Sequence, residues 1–285
     1  MKIKAKLEPG KVAIVTGGSS GIGKAIACGL AERGMHIWLV AQRKDILDSA
    51  RIEVEAHRKT SGQNINTISA DVSNLEQVRK LISQIMNTTG MPDLLVNSAG
   101  VAYPGYVEKL DINIFYWMME VNYFGTVYMT KEVLPAMIAR SSGYILNICS
   151  FSGIISTFGY TAYGASKYAV HGFSEALRME MKVHGIGVSI IFPTDTDTPQ
   201  LAYENQFKPV ETRALSSAGG MNTASDIARY AIKGIERGQY YIMPKLDAKL
   251  IHLLNSLSPS LVNFIVDMIV ANAIKKKIEM EGKKV

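Results

Sequence analysis

Short apolar runs alternate with helical stretches along most of the chain, and this alternation constrains the fold more than any other feature. The runs lack a polar residue at every second position, as expected for strands that are covered on both faces. Strands separated by helices of this length form βαβ units, in which the strands are parallel and the crossovers are right-handed. We therefore predict a doubly wound, parallel α/β fold. The predicted strands are 12–16, 36–41, 65–70, 93–97, 144–149 and 188–192, and the predicted helices are 22–33, 43–59, 75–88 and 161–184.

Composition limits the class of protein further. A chain of 285 residues with 47% hydrophobic and 20% charged residues buries a sizeable core, which excludes disorder as the main state. Two cysteines are too few for a disulfide framework, and the polar N-terminus does not resemble a signal peptide, so we expect a reduced, cytoplasmic protein. The chain has a formal net charge of +6, and seven of its lysines lie in 245–285. The excess positive charge therefore does not indicate a nucleic-acid face on the main domain. We expect a catalytic domain at 1–245, with a substrate lid at 194–220, and a separate tail at 246–285.

A glycine-rich segment lies between the first predicted strand and the first predicted helix. It reads Thr16-Gly17-Gly18-Ser19-Ser20-Gly21-Ile22-Gly23. Glycines at such a turn let backbone N–H groups approach a pyrophosphate at the positive end of the helix. An ordinary glycine-rich βα turn is the alternative, but the position after the first strand of a βαβ pattern favours a dinucleotide site.

Further motifs follow in an order that resembles the short-chain dehydrogenase/reductase family. Asn97-Ser98-Ala99-Gly100 stands for the family's Asn-Asn-Ala-Gly, and Tyr163 and Lys167 form its Tyr-x-x-x-Lys pair. The other matches are Ser150, thirteen residues before the tyrosine, the helix asparagine Asn122, and the adenine-contacting dipeptide Asp71-Val72. The resemblance implies a Rossmann-type fold, a nicotinamide cofactor, and a dimer or tetramer assembled through two long helices.

The same resemblance assigns four catalytic residues: Asn122, Ser150, Tyr163 and Lys167. Tyr163 and Lys167 are four residues apart on one helix, so their side chains share a face. A nearby ammonium stabilises a phenolate, so we expect Lys167 to lower the pKa of Tyr163, which exchanges the proton. Ser150 is expected to stabilise the substrate oxygen, and Asn122 to hold a water that links Lys167 to solvent. The alternative is that Tyr163 and Lys167 are only an amphipathic helix pair.

The end of the second strand, Val40-Ala41-Gln42-Arg43-Lys44, favours NADP(H) over NAD(H). A carboxylate there accepts hydrogen bonds from the ribose hydroxyls of NAD, whereas Arg43 suits a 2′-phosphate. Alternatively, Arg43 and Lys44 simply begin a solvated helix. No histidine shows metal-ligand spacing. The expected cofactor contacts are Gly17, Ser19, Ser20, Gly21, Ile22, Gly23, Arg43, Lys44, Asp71, Val72, Asn97, Ala99, Gly100, Tyr163, Lys167, Pro193, Thr196 and Thr198.

The segment after the last long strand points to a substrate class. Residues 193–199 read Pro-Thr-Asp-Thr-Asp-Thr-Pro and resemble the subgroup of the family that reduces 3-ketodihydrosphingosine, a long-chain 3-keto amino alcohol. Four acidic and two basic residues in 194–213 suit an amino-bearing substrate better than an acidic carrier. The alternatives are a reductase of 3-oxoacyl thioesters, steroids or retinoids and, from another class, a non-catalytic NADP-binding sensor or scaffold.

The tail contains an apolar helix that begins at Ser258-Pro259, a typical N-cap and first helical residue. Its apolar stretch, 261–274, rises only about 21 Å, which is less than the ~30 Å of a hydrocarbon core, and Asp267 interrupts it. A membrane span is therefore disfavoured. We expect 250–280 to lie in the interface of a membrane at its cytoplasmic face, because a lipid substrate is supplied there. The alternative is a helix packed on the main domain or between subunits.

Overall fold

A computed structural model describes residues 2–217 and 220–282. The strands are β1 (Val12–Thr16), β2 (His36–Ala41), β3 (Ile65–Ser69), β4 (Leu94–Asn97), β5 (Gly143–Ile148), β6 (Ile186–Ile191), β7 (Thr196–Asp197), β8 (Asn222–Thr223) and β9 (Tyr241–Ile242). The helices are α1 (Gly21–Ala31), α2 (Lys44–Ala56), α3 (Leu75–Thr89), α4 (Ile112–Met118), α5 (Gly125–Ala139), α6 (Thr161–Lys182), α7 (Pro199–Glu204), α8 (Val210–Ser217), α9 (Ala224–Glu236), α10 (Leu246–Leu257) and α11 (Pro259–Gly282).

Seven of these strands form one parallel sheet in the order β3-β2-β1-β4-β5-β6-β9. The strand order reverses between β1 and β4, so the sheet is doubly wound, and the predicted fold class is confirmed. The short strands β7 and β8 pair separately. Each predicted strand is present within two residues of its expected ends.

Apolar side chains pack on both faces of the sheet because successive residues of a strand point to opposite sides. Ile14 of β1 joins a cluster with Val133 of α5 and Leu177 of α6. Its neighbour Val15 joins a second cluster with Leu30 of α1 and residues of α9. This double coverage explains why the strands read as continuous apolar runs.

The lid and the tail lie together beyond the carboxyl ends of the strands. The lid contains β7, α7 and α8, and α11 packs against α8. Within the described residues, no single helix is long and apolar enough to cross a membrane. Helix α10 and residues 259–279 are long and apolar enough only when taken together, and they meet at a bend of 120°. Residues 218–219 of the predicted lid and 283–285 of the predicted tail lie outside the described part of the chain.

Candidate active site

A cavity of about 940 Å³ runs along the carboxyl edge of the sheet. It starts at the glycine-rich turn after β1, passes the ends of β4, β5 and β6, and reaches α10 and α11. Ligands of open α/β sheets bind at this edge, near the point where the strand order reverses. The cavity therefore gathers most of the predicted site residues at the expected end of the fold.

The glycine-rich turn leaves room for a ligand against its backbone. Gly17 and Gly21 have φ angles of +62° and +54°, which glycine adopts without strain. A Cβ on Gly23 would lie 2.4 Å from the carbonyl oxygen of Gly17. Ser20, the N-cap of α1, makes no capping hydrogen bond with its side chain, so it does not satisfy the N–H groups of the first turn. The turn thus fits the pyrophosphate of a dinucleotide.

The cavity wall at the end of β2 carries a cation and no carboxylate. Gln42 and Arg43 line this part, together with apolar side chains from the ends of β2 and β3. Arg43 is exposed, and its guanidinium forms no hydrogen bond or ion pair with any residue in 2–217 or 220–282. Lys44 is exposed as the first residue of α2 but does not line the wall.

Ser150, Tyr163 and Lys167 meet at the middle of the cavity. Helix α6 carries Tyr163 and Lys167, which are 9% and 5% exposed. Ser150, just after β5, lies near Tyr163, and its hydroxyl lowers the pKa of that phenol. The Nζ of Lys167 lies 5.7 Å from the ring centroid of Tyr163 and donates to the carbonyl of Ile148 at 3.2 Å.

The net pKa shift of Tyr163 is upward, whereas the sequence predicted a lowered pKa. Burial raises the pKa of Tyr163, the negative charge of Glu204 raises it further, and the hydroxyl of Ser150 opposes both. Burial also lowers the pKa of Lys167, whose ammonium is directed to a backbone carbonyl instead of the phenol oxygen. Tyr163 is therefore a neutral phenol at neutral pH, which is the form that donates a proton.

Asn122 lies in a π-helical stretch, Met119–Phe124, that joins α4 to α5. Its amide donates both hydrogens, to the carbonyl of Val101 at 2.9 Å and to Ser166 Oγ at 2.8 Å, and its Oδ1 accepts from the N–H of Val101 at 2.8 Å. A Cβ on Gly100 would lie 3.2 Å from this Oδ1 and 3.5 Å from Lys167 Nζ. Asn122 is thus fixed beside Lys167, with its side chain occupied by protein partners.

Besides Lys44, two of the predicted cofactor contacts lie off the cavity wall. Asn97 is buried and donates to Thr130 and Asn147 at 3.2 and 2.9 Å. Asp71 accepts hydrogen bonds from the N–H and hydroxyl of Ser73 and is not a lining residue, whereas its neighbour Val72 is. Short polar side chains at strand ends can hydrogen-bond nearby protein groups as readily as a ligand. Sequence spacing does not distinguish these two roles.

The other predicted cofactor residues lie on the wall. Thr198 caps α7, and a Cβ on Gly21 would lie 3.1 Å from its methyl carbon, so the lid and the glycine-rich turn approach each other closely. Of the predicted set, the lining residues are Gly17, Ser19, Ser20, Gly21, Ile22, Gly23, Arg43, Val72, Ala99, Gly100, Tyr163, Lys167, Pro193, Thr196 and Thr198.

Sequence reasoning missed several residues that shape this site. The hydroxyl of Thr16 accepts from the N–H groups of Ser98 and Ala99 at 3.0 and 3.1 Å and so holds the loop after β4. Tyr160 donates to the buried carboxylate of Glu204 at 2.7 Å. The acidic composition of the lid was a signal for Glu204, but composition does not say which of its carboxylates turns inward.

The far end of the cavity is apolar, and the tail forms it. The lining side chains there come from one side of α10 and α11 and include Ile251, Leu254, Val262, Ile265, Val266 and Ile269. Other tail side chains point outward, and Leu257 and Phe264 are 74% and 60% exposed. The tail therefore packs on the domain, as the alternative prediction held, while it also presents an apolar outer surface.

Comparison with known proteins agrees with this geometry. The model of the family described as short chain dehydrogenase matches residues 11–209. A 3-ketodihydrosphingosine reductase from Bos taurus is 40% identical over 233 residues, which are 81% of this chain and 70% of the relative. A 3-ketodihydrosphingosine reductase from Dictyostelium discoideum is 37% identical over 271 residues, or 90% of this chain and 80% of the relative.

A solved structure has the same fold. It is a short chain dehydrogenase/reductase from Burkholderia phymatum in complex with NAD, with a TM-score of 0.79 and 25% identity, covering 90% of this chain and 96% of that one. The family match covers more than half of the chain and spans the glycine-rich turn, Ser150, Tyr163 and Lys167. The chain therefore belongs to the short-chain dehydrogenase family.

Proposed function

We propose that this protein reduces 3-ketodihydrosphingosine to dihydrosphingosine with NADPH, a step of sphingolipid biosynthesis. The observation that carries the proposal is one continuous cavity with three parts. The glycine-rich turn lies at one end, the group of Ser150, Tyr163 and Lys167 lies in the middle, and an apolar wall that suits an alkyl chain lies at the other end. The names of the relatives support the same substrate.

The reaction follows from the protonation states of the central group. The bound cofactor supplies a hydride to the carbonyl carbon of the substrate. Ser150 donates a hydrogen bond to the ketone oxygen and stabilises the charge that develops there. Tyr163, held neutral by burial, gives its proton to that oxygen, so the product is a secondary alcohol. Lys167 limits the cost of the phenolate left on Tyr163, because its Nζ lies close to that ring.

The family uses a nicotinamide cofactor, and NADP(H) is the form proposed here. Arg43 supports it, because this guanidinium lines the wall without a protein partner within the described residues. A guanidinium matches the geometry of a phosphate, and the cavity has no carboxylate at that end to repel one. The lining members of the predicted set are the proposed cofactor contacts. Asn122, which approaches Gly100 from the same side as Lys167, is proposed to hold the water that links this lysine to solvent.

The tail belongs functionally to the catalytic domain in this proposal, because it walls the alkyl end of the cavity. Its outward apolar side chains, with the exposed lysines Lys249, Lys275 and Lys276, suit a membrane interface that contains anionic lipid. A single-chain lipid substrate resides in such a membrane. We therefore place the protein in the cytoplasm, peripherally bound to a membrane. A homodimer through α6 is proposed, since this helix exposes Tyr168 and Met179, and Val183 is exposed at its C-cap.

A direct assay tests the activity. Purified protein is given NADPH or NADH with 3-ketodihydrosphingosine or with a 3-oxoacyl thioester, and oxidation of the cofactor is followed by absorbance. We expect rapid oxidation of NADPH with the sphingoid ketone. Turnover of the thioester alone would overturn the proposed substrate.

Tyr163→Phe tests the catalytic assignment in the same assay. The phenyl ring keeps the packing of Tyr163 but has no proton to give, so we expect kcat to fall by roughly 10²–10⁴-fold. Binding of NADPH, followed by its fluorescence, should stay within about twofold of the wild type. Full turnover by this variant would remove Tyr163 from the mechanism.

A further inference from the structure

Glu204, the last residue of α7, places a carboxylate in the wall of the cavity although the residue is only 6% exposed. Its Oε2 accepts from the hydroxyl of Tyr160 at 2.7 Å, and its Oε1 accepts from Nε2 of Gln200 at 2.8 Å. A carboxylate has about four acceptor sites, so these two bonds leave further lone pairs beside the cavity. The side chain is held rigidly and is only partly satisfied.

The donors that hold Glu204 are both neutral. No cation lies within ion-pair distance of it among residues 2–217 and 220–282. Lys208, the nearest lysine of the lid, pairs instead with Asp195 at 3.4 Å. Burial consequently raises the pKa of Glu204, with the two hydrogen bonds and the charge of Lys208 opposing the rise. A buried carboxylate without a cation is costly to the fold, and a cationic ligand removes that cost.

Glu204 lies close to the proposed reaction centre. The ring centroids of Tyr160, its hydrogen-bond partner, and Tyr163 are 5.5 Å apart. The two groups also interact electrostatically, since the charge of Glu204 contributes to the raised pKa of Tyr163. A cation bound at Glu204 would thus be a near neighbour of the ketone that receives the proton of Tyr163.

We propose that Glu204 binds the substrate's ammonium group, the one carried by the carbon next to the ketone, and so selects amino ketones over plain lipid ketones. This inference rests on the proposed function and deepens it by naming the residue that recognises the amine. The ammonium donates to the free lone pairs of Glu204, which fixes the adjacent ketone against Ser150 and Tyr163. The same ion pair cancels the negative charge that disfavours the phenolate of Tyr163 once its proton has left.

The other carboxylates on the wall suit this role less well. Asp195 already has Lys208 as its ion-pair partner. Asp247 is exposed at the start of α10, where its Oδ1 accepts from the N–H of Ala248 at 2.7 Å. An exposed or already paired carboxylate gains little from a new cation, because water or the existing partner screens it.

The test compares two substrates in Glu204→Gln. One is a water-soluble short-chain analogue of 3-ketodihydrosphingosine, and the other is the same ketone without its amino group. We expect kcat/KM for the amino ketone to fall by roughly 10- to 100-fold, as for loss of a charged hydrogen bond, and kcat/KM for the plain ketone to change by less than about twofold. Equal losses on both ketones would overturn the inference.

Control variants separate recognition from folding. Asp197→Asn removes the same charge from an exposed lid position that does not line the cavity, and we expect wild-type kinetics on both ketones. Glu204→Asp keeps the charge and should retain more discrimination between the ketones than Glu204→Gln. If Asp197→Asn matches Glu204→Gln, the effect comes from lid charge alone and the inference fails.

A binding measurement distinguishes this inference from the proposed function. Calorimetry with a short-chain analogue of dihydrosphingosine, which carries the same ammonium, needs no turnover. We expect tighter binding to the wild type than to Glu204→Gln by a similar factor. Protein that does not reduce the sphingoid ketone but binds the amine through Glu204 would refute the activity and keep the amine site. If the wild type reduces the ketone but binds the amine no more tightly than Glu204→Gln, the activity stands and the amine site is refuted.

Discussion

At the scale of single residues, the site depends on groups that burial holds in an uncharged or unpaired state. Burial raises the pKa of Tyr163, so the phenol stays protonated, and Glu204 has no cation within ion-pair distance in the described chain because Lys208 pairs with Asp195. Arg43 is the opposite case, an exposed cation with no protein partner in the described chain. In the proposed complex, the ligands supply the partner that each of these side chains lacks: a proton acceptor for Tyr163, a cation for Glu204 and a phosphate for Arg43.

Arg43→Ala tests the cofactor preference. The guanidinium contributes a bidentate pair to a 2′-phosphate that NADH lacks, so we expect the Kd of NADPH to rise by roughly tenfold or more and that of NADH by less than about twofold. Fluorescence titration of both reduced cofactors measures it. Lys44→Ala, at the neighbouring exposed position off the wall, is the matched control and should have little effect on either. An equal loss of both cofactors in Arg43→Ala would contradict the preference.

Sequence spacing correctly predicted arrangements that depend only on residues close together in the chain. Tyr163 and Lys167 share a helix face by their separation of four, and the glycine-rich turn lies where a strand meets a helix. Spacing could not show that Asn97 turns into the core, nor that Lys167 donates to the carbonyl of Ile148. These orientations depend on partners 50 and 19 residues away in the chain, which a motif does not include.

At the scale of elements, the tail has two different faces. Residues such as Ile251 and Ile269 line the cavity, and Leu257 and Phe264 are exposed on the outside. The apolar pattern of α11 predicted a helix but could not assign its faces, because apolar residues lie on every side of it. The short strand β9 was likewise missed, since a two-residue strand has no periodicity to detect. The helix α9 was also missed, although its apolar residues recur at helical spacing.

The double substitution Leu257→Glu/Phe264→Glu tests the outer face. It removes two exposed apolar contacts and adds negative charge, so we expect binding to anionic vesicles in a flotation assay to fall by at least about tenfold. Activity on a water-soluble short-chain ketone should not change, because neither side chain lines the cavity. Ile52→Glu, an exposed apolar position on α2, is the control and should leave vesicle binding intact. If the wild-type protein does not bind vesicles at low salt, the tail only packs on the domain and the membrane role is refuted.

At the scale of the whole molecule, the parallel sheet, the lid and the tail together line one cavity. The parallel sheet and six of its seven strands could be predicted from the sequence, because buried strands and covering helices leave strong local patterns. The predicted boundary at 245 separates the tail from the catalytic domain, but in the structure the tail closes the cavity and packs on α8 of the lid. Contacts between segments this far apart in the chain leave no local pattern.

Gly172→Arg tests the proposed dimer through α6. Nothing lies within 4 Å of a Cβ built on Gly172, so the single chain has room for a larger side chain, and arginine favours the helix by up to about 1 kcal/mol over glycine. A helix packed closely on this face would collide with it. We expect light scattering to report a dimer for the wild type and for Gly172→Ala, and a monomer for Gly172→Arg. Dimeric Gly172→Arg, or a monomeric wild type, would rule out this interface.

The tail helices have one face in the cavity and the other exposed, and their proposed membrane contact would decide which substrate concentration sets the rate. If substrate and product exchange through a wall that rests on lipid, the quantity that sets the rate is the number of substrate molecules per unit of bilayer area. Diluting the ketone with inert lipid would then slow turnover even when its amount per litre is constant. Growth of the membrane around the enzyme would thus regulate it, without any effector binding to the protein.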